Sequence, residues 1–165
     1  MARPVKLYQV DLSEVSDEPT WYTALVNYKC EKKVYDAIVR FNDNTGRHYI
    51  DAVYVPFNFK KLIRQDKHGV NISVFTPVAR EYSGYVFFKA KLNEYIWNSL
   101  RLIPGITMII LSGNTPAVVP GKKIKQIRKA CIEEYSLKDQ RKIMEKYEYY
   151  RSFEEDNSSG EFFSE

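Results

Sequence analysis

The chain has 165 residues, of which 44% are hydrophobic and 28% are charged, a composition typical of one globular domain, alone or with an appendage. No apolar run approaches the roughly 18 residues of a membrane span, and the N-terminus lacks the apolar core of a signal peptide, so we expect a cytoplasmic protein without a membrane partner. The net charge of +4 and the 15% aromatic content, with 13 Tyr and 9 Phe, are compatible with a nucleic-acid or protein partner.

Strand and helix patterns alternate along the chain. Residues 20–28 are apolar and β-branched, which predicts a buried strand, and the spacing of Val34, Ile38 and Phe41 predicts one apolar helical face. Asn93 is a candidate N-cap. The predicted elements are a strand (20–28), a helix (30–41), a strand (49–56), a basic hairpin (57–64 and 70–78, turn 66–69), a strand (85–92), a helix (93–102), strands (106–111 and 115–119) and helices (120–135 and 137–151).

This order predicts an α+β fold. It fits a ferredoxin-like βαββαβ sandwich with a hairpin inserted before the third strand and extra helices at the C-terminus. Residues 1–19 are interpreted as an arm, 20–134 as the domain, 135–152 as a helical extension and 153–165 as an acidic disordered tail.

An aromatic set is the first candidate for function. Its members either fill the core or converge into an exposed pocket for a partner helix. Gly84 favours a pocket, since a glycine between tyrosines permits a sharp turn or a close backbone approach. The set comprises Trp21, Tyr22, Tyr54, Phe57, Tyr82 and Tyr85.

Two basic sets form the second candidate. Each is explained either by a solvated face or by contacts to nucleic-acid phosphates, which need cations without fixed geometry. Cations in the first turn of a helix oppose its dipole, which gives the second set a weak functional signal. The first set comprises Lys32, Lys33, Lys60, Lys61, Arg64 and Arg80, and the second comprises Lys122, Lys123, Lys125, Arg128 and Lys129.

The sequence contains little that indicates an enzymatic function. His48 and His68 are the only histidines, no glycine-rich phosphate-binding motif occurs, and Cys30 has no activating histidine close to it in the sequence. The distant pair Cys30 and Cys131 predicts reduced thiols. We therefore expect no catalytic residues, no metal and no cofactor.

Five stretches, in order, resemble the N-terminal domain of NusG-family transcription factors, which include RfaH-like paralogues. The family patterns are WY followed by ExxV, a strand ending in VP, (K/R)xxFPGYVxV, WxxVRxxPGVxGFV and PxPIxxxExxxI. Here they correspond to Trp21-Tyr22 with Glu31 and Val34, to residues 53–56, 80–87 and 97–110, and to residues 116–127.

The resemblance implies a binding protein. It implies that the domain docks a hydrophobic pocket, carried by Trp21, Tyr82 and Tyr85, onto the β′ clamp helices of multisubunit RNA polymerase and reaches towards the β subunit. Basic residues would track upstream or non-template DNA, and the outcome would be suppressed pausing or termination. Ser83 stands where the family has proline. Residues 134–165 contain no KOW-like strand pattern, so coupling to Rho or the ribosome is not expected.

Two other functions remain open from the residues alone. A ferredoxin-like sheet with exposed aromatics can act as a stand-alone nucleic-acid-binding module, although no RNP-type motif is present. A small acylphosphatase-like enzyme on the same fold would need an anion-binding loop, which the sequence does not show.

Overall fold

The computed structural model describes residues 10–46, 49–78, 83–147 and 149–153. Its central element is one antiparallel sheet. The strands are β1 (Thr20–Val26), β2 (Ile50–Tyr54), β3 (Asn58–Gln65), β4 (Asn71–Val78), β5 (Tyr85–Ala90), β6 (Ile106–Ile109), β7 (Leu111–Ser112), β8 (Thr115–Pro116) and β9 (Tyr150–Ser152). The helices are α1 (Glu31–Thr45), α2 (Glu94–Arg101), α3 (Gly121–Ile132) and α4 (Leu137–Tyr147). Within these ranges, no helix is long and apolar enough to cross a membrane.

The strand order confirms the predicted fold class. The main sheet has the order β6-β1-β5-β2-β9, with every neighbouring pair antiparallel. Its first four strands reproduce the order of a ferredoxin-like βαββαβ unit. Strands β3 and β4 pair only with each other, as the inserted hairpin, in register from Asn58 opposite Val78 to Gln65 opposite Asn71.

Alternation along the strands divides the core into two layers. On what we call the first face of the sheet, Tyr22, Val53 and Phe88 pack against helices α1 and α2. On the second face, Trp21 and Phe87 pack against helices α3 and α4 and the hairpin. Each face therefore buries its own hydrophobic cluster.

Three helix ends are set by local signals, of which the cap at Asn93 was predicted. Asn93 caps α2 by accepting a hydrogen bond from Ile96 N (2.8 Å), and Ser136 Oγ accepts one from Asp139 N (3.1 Å) before α4. Helix α1 runs to Thr45, beyond the predicted end at residue 41, and stops at Gly46 in the left-handed conformation. The extra turn buries Asn42, whose side-chain amide bonds both the N–H and the C=O of Ile50.

The C-terminal helix prediction is wrong in its last residues. Helix α4 ends at Tyr147, and Tyr150–Ser152 form strand β9 instead of continuing the helix. Strand β9 pairs with β2. Without β9, the backbone groups along this edge of β2 would have no strand partner. The predicted disordered tail lies outside the described residues except for Phe153, which packs into the first-face core. Residues 1–9 of the arm lie outside them as well.

Candidate functional site

An aromatic row crosses the second face of the sheet. Tyr54 and Phe87 are cross-strand partners, with ring centroids 6.3 Å apart, and Tyr85 lies edge-on to Phe87 at 6.2 Å. The Tyr150 ring lies 6.4 Å from Trp21 and 6.2 Å from Tyr54. The structure thus places three of the predicted pocket residues, Trp21, Tyr54 and Tyr85, on one face.

The predicted aromatic residues differ in accessibility. Trp21 and Tyr54 are buried, whereas Tyr85 and Phe57 are only partly buried, so they form the accessible rim. Tyr22 is fully buried on the first face, where its ring packs against Phe88 at 5.7 Å. Burial raises the pKa of the Tyr22 hydroxyl, which is the expected effect of removing the phenolate from water. Tyr22 therefore belongs to the core and does not line the row.

A buried carboxylate holds the turn that precedes Tyr85. Gly84 N donates a 2.7 Å hydrogen bond to Glu31 Oε2, and Gly84 O accepts one from Val26 N (2.9 Å). Gly84 has a φ of 88°, which favours glycine. The role of Glu31 was not predicted, since a glutamate in a first helical turn is normally explained by the helix dipole. Tyr82, the remaining predicted pocket residue, lies outside the described residues.

The second face is already covered by the C-terminal part of the chain. Ile127 and Cys131 of α3 and Ile143 of α4 are buried against the aromatic row, and the Tyr54 hydroxyl donates to Cys131 Sγ (3.6 Å). Between these elements remains a cavity of about 30 Å³, bordered by Phe57 among others. A cavity of that size admits only a few water molecules, so a partner helix has no room in this arrangement.

Arg128 completes the cover in a way that the sequence did not indicate. The sequence groups it with the α3 lysines, on a solvated face or at nucleic-acid phosphates, but it is buried, and its guanidinium lies 3.8 Å from the centroid of the Tyr150 ring. A buried cation over an aromatic face stabilises their contact. Arg128 therefore links α3 to β9.

The inner face of the hairpin is tied to the C-terminal helices. The Tyr135 hydroxyl donates to Phe59 O, Lys61 pairs with Asp139 (3.0 Å), and Lys142 Nζ donates to Ser73 O (2.6 Å). Lys61, a predicted nucleic-acid residue, is therefore engaged within the protein.

The outer face of the hairpin is basic and apolar. Register and alternation place Lys60, Leu62 and Arg64 on this face, with Val74 opposite Leu62 and Ile72 opposite Arg64. Lys60 and Arg64 are exposed, and Ile72 keeps 40% of its surface accessible. The outer face thus presents exposed cations beside aliphatic side chains.

Two of the remaining predicted basic residues, Lys32 and Lys33, lie apart from the hairpin. Lys33 is exposed on α1, and Lys32 pairs with Asp36 (2.9 Å), which raises the pKa of the lysine. Helix α1 packs on the first face, whereas the inner face of the hairpin packs on the second. Arg80 lies outside the described residues.

Within the described ranges, no group of three His, Cys, Asp or Glu side chains is arranged to hold a metal ion. What the described residues do assemble is a row of large aromatic rings under a cover supplied by the same chain, with basic side chains on neighbouring elements. Large aromatic side chains of this kind contribute much of the binding energy in protein interfaces.

Comparison with known proteins finds a matching family model and similar solved structures. A family model described as "Transcription termination factor nusG" matches residues 19–128. The structure described as "Domain interaction in Thermotoga maritima NusG" is similar with a TM-score of 0.51 and 24% sequence identity, over 72% of this chain and 61% of that chain. This chain thus spans less than two thirds of that protein, and the likeness is one of fold. No curated protein matches the sequence.

Proposed function

The chain belongs to the NusG family of transcription factors, and we propose that it binds a multisubunit RNA polymerase and suppresses pausing or termination, as an elongation or antitermination factor. The observation that carries this proposal is the family match over residues 19–128, within which the aromatic row on β1, β2 and β5 lies. The proposed site of action is the cytoplasm of a bacterial or phage-infected cell.

The proposed contact joins the aromatic row to the β′ clamp helices, with a further contact towards the β subunit. Trp21, Tyr54 and Tyr85 share one face of the sheet, Phe57 is part of the accessible rim, and the turn at Gly84 is fixed by Glu31. Tyr82 is proposed to complete the rim. Burial of apolar side chains from a helix tip among these rings would supply most of the affinity.

Full access to the row requires the C-terminal cover to move. Tyr150 packs on Trp21, and Ile143 is buried in the same cluster. Strand β9 pairs over only three residues, and segments with few pairing contacts open at low free-energy cost. We therefore propose that the polymerase first meets Tyr85 and Phe57 and that α4 and β9 then leave the face.

Basic residues are proposed to follow the upstream or non-template DNA through its phosphates, without reading sequence. Lys60 and Arg64 are exposed on the outer face of the hairpin and Lys33 on α1. Lys32, Lys61 and Arg80 complete the proposed set. The contributions of Lys32 and Lys61 require exchange of their pairs with Asp36 and Asp139.

Binding to purified bacterial RNA polymerase core enzyme tests the proposal. We expect Tyr85→Ala to weaken binding at least tenfold, which corresponds to about 1.4 kcal/mol, a modest effect for an interface tyrosine. Tyr22→Phe is the matched control, since Tyr22 is buried on the other face. Folded Tyr85→Ala protein that binds as tightly as wild type would remove Tyr85 from the interface. Absence of binding by wild type would refute this polymerase as the partner.

The outer face of the hairpin favours a second candidate function, a stand-alone nucleic-acid-binding module. Lys60 and Arg64 flank Leu62 there, and a run of basic side chains can follow the backbone of a single strand. Salt-dependent binding of a free single-stranded oligonucleotide in the absence of polymerase, lost on Lys60→Gln with Arg64→Gln, would support this candidate.

A further inference from the structure

Helix α3 presents a basic face to the outside of the molecule. Ile124, Ile127 and Cys131 fix the orientation of the helix by packing on the sheet, which turns the opposite side outwards. Three exposed lysines recur on that outward side at helical spacing, and a fourth, Lys123, lies on its flank; the four together are here called the α3 basic face. They are Lys122, Lys123, Lys125 and Lys129.

The charge of the α3 basic face is not balanced by its own helix. The first turn of α3 contains no acidic residue, and Lys122, Lys123 and Lys125 oppose the positive end of the helix dipole. Within the described part of the chain, none of the four lysines takes part in an ion pair. An anionic occupant would remove this unfavourable electrostatic term.

The chain leaves the described structure close to this face. Ser152 of β9 and Trp21 of β1 lie in one row of paired residues that crosses β2 and β5. Three strand spacings separate them, which is about 14 Å. Val119, two residues before α3, donates its N–H to Trp21 O (2.9 Å). Ser152, close to the last described residue, therefore lies about 14 Å across the sheet from Trp21, the residue that anchors the chain just before α3.

The residues that follow are acidic. Residues 154–165 contain five acidic side chains and no basic one, and they lie outside the described residues. Because they contribute −5 to a total of +4, the rest of the chain carries +9. Twelve residues reach up to about 40 Å, and a tether of this length gives an effective concentration of the order of millimolar.

We propose that residues 154–165 bind the α3 basic face of the same molecule through their carboxylates. Charge complementarity, the point at which the chain leaves β9 and the tether favour this segment over an external polyanion. The segment would compete with nucleic-acid phosphates for the same lysines. This proposal is independent of polymerase binding.

Zero-length carbodiimide cross-linking of the full chain provides the first test, because it joins only carboxylates and amines that are in contact. The monomer fraction is analysed at low salt. We expect residues 154–165 to be cross-linked to the α3 lysines about five times as often as to Lys33. Two or three exposed ion pairs supply a preference of about this size. High salt should abolish the preference. Even distribution over all exposed lysines would overturn the proposal, and so would cross-links found only between two molecules.

Amide chemical shifts test the same contact without chemistry on the lysines. Lys122→Gln, Lys125→Gln and Lys129→Gln together should shift the signals of Glu154, Glu155 and Asp156. The control combination Lys33→Gln, Arg40→Gln and Lys138→Gln removes the same charge from exposed positions on α1 and α4 and should leave those signals in place. Equal effects of the two combinations would refute a specific contact with α3.

Discussion

The two faces of the sheet are closed by different parts of the chain. Helices α1 and α2, which cover the first face, lie between strands of the ferredoxin-like unit. The second face is covered by the hairpin and by residues 121–153, with a cation–aromatic contact at Arg128 and an ion pair at Lys61. The first face is thus intrinsic to the unit, whereas much of the second is closed by a C-terminal addition whose contacts combine apolar and polar groups. Under the proposed function, we expect this cover to exchange for the partner without loss of the fold.

The largest expected difference in stability is between alanine variants of two neighbouring phenylalanines on opposite faces of the sheet. Phe88 is buried on the first face and Phe87 on the second. Phe88→Ala should cost about 3–5 kcal/mol of global stability, measured by urea unfolding. Phe87→Ala should mainly reduce hydrogen-exchange protection in α4 and β9 and leave α1 and α2 protected. Equal loss of protection on both faces would show that they unfold as one unit.

Loosening the cover should give the next largest effect. Ile143 is fully buried under α4, and Ile143→Ala should cost about 2–4 kcal/mol locally. We expect faster amide exchange in α4 and β9 and tighter polymerase binding. Leu137→Ala, on the same helix with 71% of the side chain exposed, is the control. Tighter binding by both variants, or by neither, would contradict the cover hypothesis.

Alkaline pH should weaken the first face through Tyr22. Burial raises the pKa of its hydroxyl above the ordinary value of 10.0, so the folded state holds this proton more tightly than the unfolded state. Its contribution is complete below pH 10 and is lost as the pH rises through the folded-state pKa. In urea titrations between pH 7 and 11, Tyr22→Phe should lose less stability than wild type. If the stabilities of wild type and Tyr22→Phe changed with pH in parallel, folding would not change the pKa of the Tyr22 hydroxyl.

The smallest expected effect distinguishes the two sides of the hairpin. Lys61→Gln breaks a partly exposed pair with Asp139 and should cost about 0.2–1 kcal/mol, whereas Lys60→Gln should leave stability unchanged. In binding to single-stranded DNA, Lys60→Gln should have the larger effect of the two variants. It should lower the slope of the logarithm of the binding constant against the logarithm of the salt concentration by about 0.7. A slope that is unchanged by Lys60→Gln would remove this residue from the nucleic-acid surface.

The sequence by itself determined most of the secondary structure and the fold class. The apolar, β-branched run at 20–28, the helical spacing of Val34 and Ile38 and the N-cap at Asn93 are local signals, set by backbone sterics and by the need to satisfy helix-end hydrogen bonds. Their order along the chain was sufficient to predict the βαββαβ sheet. The family resemblance was likewise carried by short motifs and is confirmed by the match over residues 19–128.

Only the tertiary structure decided which side of the sheet each aromatic residue faces and what covers it. Trp21 and Tyr22 are adjacent in sequence and have similar apolar character, but the pleat sends them to opposite layers. Strand β9 exists because β2 offers an edge, and Arg128 is buried because Tyr150 lies beneath it. Such outcomes depend on contacts between residues far apart in the chain, which local pattern does not encode.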